Sequence, residues 1–176
     1  MSTSHDVTTV ASVDLQRYLG LWYEICRLPM KYEDATARDI TAHYSLQDNG
    51  KIRVDNRCID EDGKPTQSIG EAEAVDESNA KLTVSFLPEL LRWIPFTKGD
   101  YWILKLDPEY RLSLVGDPQR EFLWLLAREP QVTQAEQEEY LSHARAIGYD
   151  LSRLITPRQS GKTVTDAMLE TAGTRR

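Results

Sequence analysis

The sequence predicts an all-β domain of eight antiparallel strands, a sandwich or a barrel, followed by one helix. Short runs rich in β-branched and aromatic residues recur between residues 20 and 130 with turn-forming residues between them, the rhythm of consecutive hairpins. One hairpin is explicit: Tyr44-Ser45-Leu46 and Ile52-Arg53-Val54 flank Asp48-Asn49-Gly50, and Asn-Gly supplies the positive φ angles of a tight turn. After the last run, apolar residues fall at helical spacing behind a capping motif.

Taken in order, the first run spans residues 21–27. Its Trp22, Glu24, Cys26 set and its Leu21, Tyr23, Ile25 set are both largely apolar, as in a strand covered on both sides. In residues 51–59, Ile52, Val54, Asn56 and Cys58 oppose Arg53, Asp55, Arg57 and Ile59, and the charges mark the second set as solvent-facing. A turn at Asp62-Gly63 leads into 68–75, and in 81–87 Leu82, Val84 and Phe86 point inward by the same logic. Runs at 101–106, 111–115 and 121–127 complete the eight. The helix is expected over about 133–147, with Thr133 and Glu136 as a capping box, Pro130 upstream and Gly148 as a stop. Its stripe of Tyr140, Leu141, Ala144 and Ile147 needs a surface, and the outer face of the first strand offers one. Residues 1–12 are expected to be a flexible segment, 13–156 the domain, and the polar, Gly-interrupted residues 157–176 a disordered tail.

Composition narrows the function. A chain of 176 residues suits one domain with room to bury a core or enclose a cavity. With 28 acidic and 21 basic residues the net charge is −7, and the scattered Lys and Arg form no stripe for a phosphate backbone, so nucleic acid is not an expected partner. The longest uncharged apolar runs are far too short to cross a bilayer. The first dozen residues show neither the basic nor the apolar region of a signal peptide, and no cysteine near the start offers a lipid acceptor.

Three ordered motifs carry a family resemblance. Gly20-Leu21-Trp22, within Tyr18-Leu19-Gly20-Leu21-Trp22-Tyr23-Glu24-Ile25, resembles the opening G-x-W of lipocalins, in the branch of bacterial outer-membrane, apolipoprotein D and plant temperature-induced lipocalins. Leu106-Asp107-Pro108-Glu109-Tyr110 resembles the family's T-D-x-x-Y turn, with Leu106 where Thr is usual, and Leu123-Trp124-Leu125-Leu126-Ala127-Arg128 resembles its final-strand motif. The resemblance runs from about Val13 to Ile155 and implies an eight-stranded antiparallel up-and-down lipocalin β-barrel with a C-terminal α-helix packed on its outside. It implies a closed end where Arg128 stacks on Trp22 as a structural plug, and an open end.

The same resemblance sets the first strand's phase, turning Trp22, Glu24 and Cys26 inward, and places Tyr44 and Trp124 in the lumen. Alternation adds Val54, Asn56, Cys58, Phe86, Trp102 and Leu104, and Leu126 completes the expected ligand wall with Trp124 and Phe86. Glu24 needs a partner there, a structural one before a ligand head group. Cys26 and Cys58 would lie on strands separated by another, roughly 10 Å apart at sheet spacing, so no disulfide is expected. An enzymatic lumenal thiol, as in a thiol-dependent isomerase, is the alternative reading. His43 should point outward beside Tyr44.

Residues 87–96 are too apolar for an ordinary loop, yet Pro88 and Pro95 oppose a central strand. In lipocalin topology this loop lies at the open end near Leu28, Pro29 and Met30. Leu91, Trp93, Ile94 and Phe96 then form a lid, a peripheral membrane contact with Arg92 and Lys98 near phosphates, or a dimer contact. The expected function is to bind, store or transport a fatty acid, lysophospholipid or other small hydrophobic ligand, in membrane maintenance or stress response, without enzymatic activity. No cofactor or metal is expected, and the chain is expected to be a monomer or homodimer. The resemblance points to the outer membrane or periplasm, with the cytoplasm as the alternative.

Overall fold

The computed structural model describes residues 6–30, 35–86 and 98–173. A single helical turn, α1 (Leu15–Tyr18), precedes the sheet and is capped by Asp14, whose carboxylate accepts from the N–H groups of Gln16 and Arg17. The strands are β1 (Gly20–Arg27), β2 (Arg38–Leu46), β3 (Ile52–Ile59), β4 (Pro65–Ala74), β5 (Lys81–Phe86), β6 (Lys98–Leu106), β7 (Leu112–Gly116) and β8 (Leu123–Ala127). Among the described residues these eight pair antiparallel in chain order and β8 returns to β1, so the barrel is closed and presents no sheet edge.

Closure separates two apolar layers. The inner one gathers Trp22, Ala42, Tyr44, Val54, Ala72 and Leu126. The outer one sets Leu112, Leu114, Leu125 and Ala127 against α2 (Gln134–Ala146), whose Tyr140, Leu141 and Ala144 are buried. The Thr133–Glu136 capping box starts this helix, and Gly148, at φ +98, follows its end. Burial of each large side chain in the seam contributes about 1.5–3 kcal/mol.

Two irregularities reset the phase of the wall. In β1, Glu24 pairs with Leu126 but Cys26 pairs with Leu125, so a bulge at Ile25 inserts one residue. Beyond it the inside and outside positions exchange. Cys26 therefore lies in the outer layer beneath α2, not in the lumen, and Arg27, opposite Trp124, takes the inward place. In β6, Leu82 pairs with Tyr101, and a register shift lies between Ile103 and Lys105. Tyr101 and Ile103 face inward, while Trp102 and Leu104 pack in the outer layer, opposite to the alternation first read.

Residues 10–13 and 157–173 are tied to the barrel. The Val10 amide donates to the Ile103 carbonyl at 3.0 Å and the Val13 amide to that of Ser78 at 2.8 Å. After Pro157, a strap crosses the outside of β1–β3. The Asp39 amide donates to Arg158, and the Gln159 side-chain amide donates to the carbonyls of Glu24 and Ile40, each at 2.9 Å. The strap ends in α3 (Asp166–Ala172), where Leu169, fully buried, packs with Ile59 and Val164. The outer face of β3 is consequently not left to solvent: Asp55 and Ile59 are both buried. Arg57 joins β3 to the strap, donating to Asp55, to the Val164 carbonyl and to Asp166.

Candidate ligand site

One end of the barrel is sealed by a compact polar plug. Trp22, with no exposed surface, has the Arg128 guanidinium 3.7 Å above its ring. Arg128 also donates to the carbonyls of Arg17, Tyr18, Leu19, Leu21 and Tyr110, tying α1, β1 and the β6–β7 turn together. In that turn the Asp107 carboxylate accepts from the amides of Glu109 and Arg111. Tyr110, at φ +60, accepts from the Asp14 amide through its hydroxyl.

Directly inside the plug runs a chain of hydroxyls. Tyr18 and Ser113 lie 2.8 Å apart, Tyr18 and Tyr101 2.8 Å, and Tyr101 and Tyr44 2.9 Å. Burial pushes the Tyr18 phenol up to about 12, against smaller lowering by its hydrogen bonds to Ser113 and Tyr101. Burial likewise raises Tyr44, with Tyr18 adding to it and the Tyr101 hydrogen bond opposing, and raises Tyr101, with Tyr18 and Tyr44 adding to it, so all three stay protonated near neutral pH. They offer hydrogen bonds without charge.

Further along the same face of β1 lies a buried ion pair. The Arg27 guanidinium donates to the Glu24 carboxylate at 2.9 Å, with side-chain exposures of 0% and 5%. Beyond it the inner face changes character. Asn56 and Cys58 on β3, Val84 and Phe86 on β5, and Trp124 on β8 point inward by register, yet each is only half-buried. An inward side chain keeps exposed surface only where the interior is not filled. Among the described residues the inner face is thus densely packed at the plug and more loosely packed toward the other end, where a Cβ added at Gly99 would meet none of their atoms within 4 Å.

This arrangement, a closed barrel with an Arg-on-Trp plug and one outer helix, agrees with the comparisons. The lipocalin-like domain model matches residues 13–159. Temperature-induced lipocalin-1 of Arabidopsis thaliana is 36% identical over 163 residues, covering 91% of this chain and 87% of the relative. The chain is a lipocalin. Outer membrane lipoprotein Blc of Escherichia coli K12 is 39% identical over 157 residues, covering 88% of this lipocalin and 84% of Blc. Mouse apolipoprotein D is 34% identical over 159 residues, at 84% and 77% coverage. Among solved structures, apocrustacyanin C1 superposes with a TM-score of 0.69 at 13% identity, over 89% of this chain and 86% of the other, a likeness of fold. Members of the family bind small hydrophobic ligands.

Within this lipocalin, Glu24, Tyr44, Val54, Asn56, Cys58, Phe86, Trp124 and Leu126 share the inner face. Cys26, Trp102 and Leu104 do not. Leu91, Trp93, Ile94 and Phe96 lie outside the described residues. Exposed His43 points away from the lumen. Cys26 and Cys58 lie on opposite sides of the wall and are not joined; the Cys58 thiol sits 3.1 Å from the Thr66 hydroxyl. Tyr18, Arg27, Tyr101 and Ser113 were missed as site residues. Tyr18 precedes the first strand, Arg27 needs the bulge to face inward, and Tyr101 needs the correct phase of β6.

Proposed function

We propose that this lipocalin carries a fatty acid, lysophospholipid or similar single-tailed amphiphile in its lumen and delivers it to or removes it from a membrane. The observation that carries this reading is the gradient along the inner face: buried at the Trp22–Arg128 plug, half-buried and largely apolar from Val84 and Phe86 to Trp124. Such a wall removes an acyl chain from water at about 25 cal/mol per Å² of apolar surface, and few polar groups constrain the chain's identity. The similarity to Blc, an outer membrane lipoprotein, supports a role at a membrane. Extraction of the purified protein followed by mass spectrometry tests the reading. Stoichiometric lipid supports it; an empty barrel that takes up no fatty acid after delipidation overturns it.

A further inference from the structure

The hydroxyl chain at the base of the lumen contains one more hydrogen than it has internal bonds. Ser113, Tyr18, Tyr101 and Tyr44 form a linear series joined by three hydrogen bonds, and each of the four hydroxyls carries one proton. Among the described residues neither terminal hydroxyl has a second protein partner. If Ser113 donates toward Tyr18 and each phenol donates onward, the Tyr44 O–H is left to donate into the lumen. If every bond reverses, the Tyr44 oxygen is left to accept. The Ser113 end is sealed beneath Tyr18, with no exposed surface, whereas Tyr44 and half-buried Tyr101 stand on the inner face among Ala42, Val54 and Ala72. The base of the lumen therefore presents a hydroxyl, that of Tyr44, that donates or accepts according to the sense of the series.

We infer that the deep end of the lumen is built to receive a neutral oxygen function, a hydroxyl or keto group, at the buried end of an otherwise apolar ligand. This inference rests on the carrier reading above. Without a ligand acceptor one O–H of the series, that of Tyr44 or that of Ser113, is left unpaired, and a buried unpaired O–H is costly. A ligand hydroxyl or keto oxygen that accepts from Tyr44 pairs it, with every bond of the series running from Ser113 toward Tyr44. Ionised groups fit less well, because the phenols remain neutral and Glu24 places negative charge nearby.

The test compares octadecanoic acid with 18-hydroxyoctadecanoic acid by displacement of a fluorescent fatty acid from the delipidated full chain. Wild type should bind the hydroxy acid at least as tightly as the plain acid, although its far end is more polar. In Tyr44→Phe and in the double variant Tyr44→Phe/Tyr101→Phe, the hydroxy acid should weaken about tenfold, the factor expected for one unpaired buried hydroxyl, while the plain acid binds unchanged or tighter. Wild type binding the hydroxy acid tenfold more weakly than the plain acid overturns the inference alone, as does an unchanged ratio in the double variant. Binding of neither acid overturns the carrier reading and the inference with it. The wild-type comparison decides even if a variant fails to fold.

Discussion

Arg27 and Glu24 form an ion pair inside the barrel although they stand three residues apart on one strand. Strict alternation sends residues of odd separation to opposite faces. The bulge at Ile25 makes the pairing possible by inserting one residue between them, and the same insertion turns Cys26 outward.

Breaking that pair leaves a buried charge. Glu24→Leu and Arg27→Met should each lower stability by about 3–5 kcal/mol, whereas the double variant Glu24→Leu/Arg27→Met should recover most of the loss. Urea unfolding at neutral pH measures the cycle, and additive losses in the double variant would contradict the pairing.

Arg128→Lys keeps the charge over Trp22 but cannot reproduce the guanidinium fork that reaches the five carbonyls. The expected cost is about 3 kcal/mol. Tryptophan fluorescence during denaturation reports it; ligand affinity of the folded variant should change little, because the plug lies below the lumen.

The two thiols should differ sharply in reactivity. Cys26 is buried and its thiol is pushed up to about 12, first by burial and then by the Glu24 charge, so it should resist iodoacetamide at pH 8 in the folded protein. Cys58 is half-buried on the inner face and should be modified. A bound fatty acid should slow its modification. Mass spectrometry of tryptic peptides separates the two sites, and faster labelling of Cys26 than of Cys58 would refute the assigned faces.

Asp55 secures the strap through Arg57. Burial pushes its carboxyl upward, but hydrogen bonds from Arg57 and Gln67 and the charges of Arg57 and Arg53 outweigh this, so its value is lowered on folding. A lowered folded value means the contribution is fully present above the ordinary carboxylate range, about pH 4, and is lost as pH falls through the folded value. Asp55→Asn should cost about 2 kcal/mol at pH 7, and the difference from wild type should shrink below about pH 4. Hydrogen exchange in α3 should accelerate in the variant; unchanged protection there would separate the strap from Asp55.

Much of this fold was legible because one face of most strands is distinctly apolar. Ile52, Val54 and Leu82, Val84, Phe86 announce their faces, and the Thr133–Glu136 box marks its helix. The site was legible only in part. Tyr101, Trp102, Ile103 and Leu104 are all apolar or aromatic because β6 is covered by the lumen on one side and by α2 on the other, so alternation carries no phase there. A bulge leaves no mark in composition, which hid the inward turn of Arg27. The strap offered one overlooked sign: Ile59, an apolar residue on the otherwise charged face of β3, requires a cover, and Leu169 supplies it.

A ligand held in the lumen should lie against Trp124. Quenching of tryptophan fluorescence by a dibrominated octadecanoic acid tests it most directly, because bromine quenches only at close contact. Saturable quenching at one equivalent is expected, most of it absent in Trp124→Phe. No saturable quenching, or quenching undiminished in that variant, would contradict it.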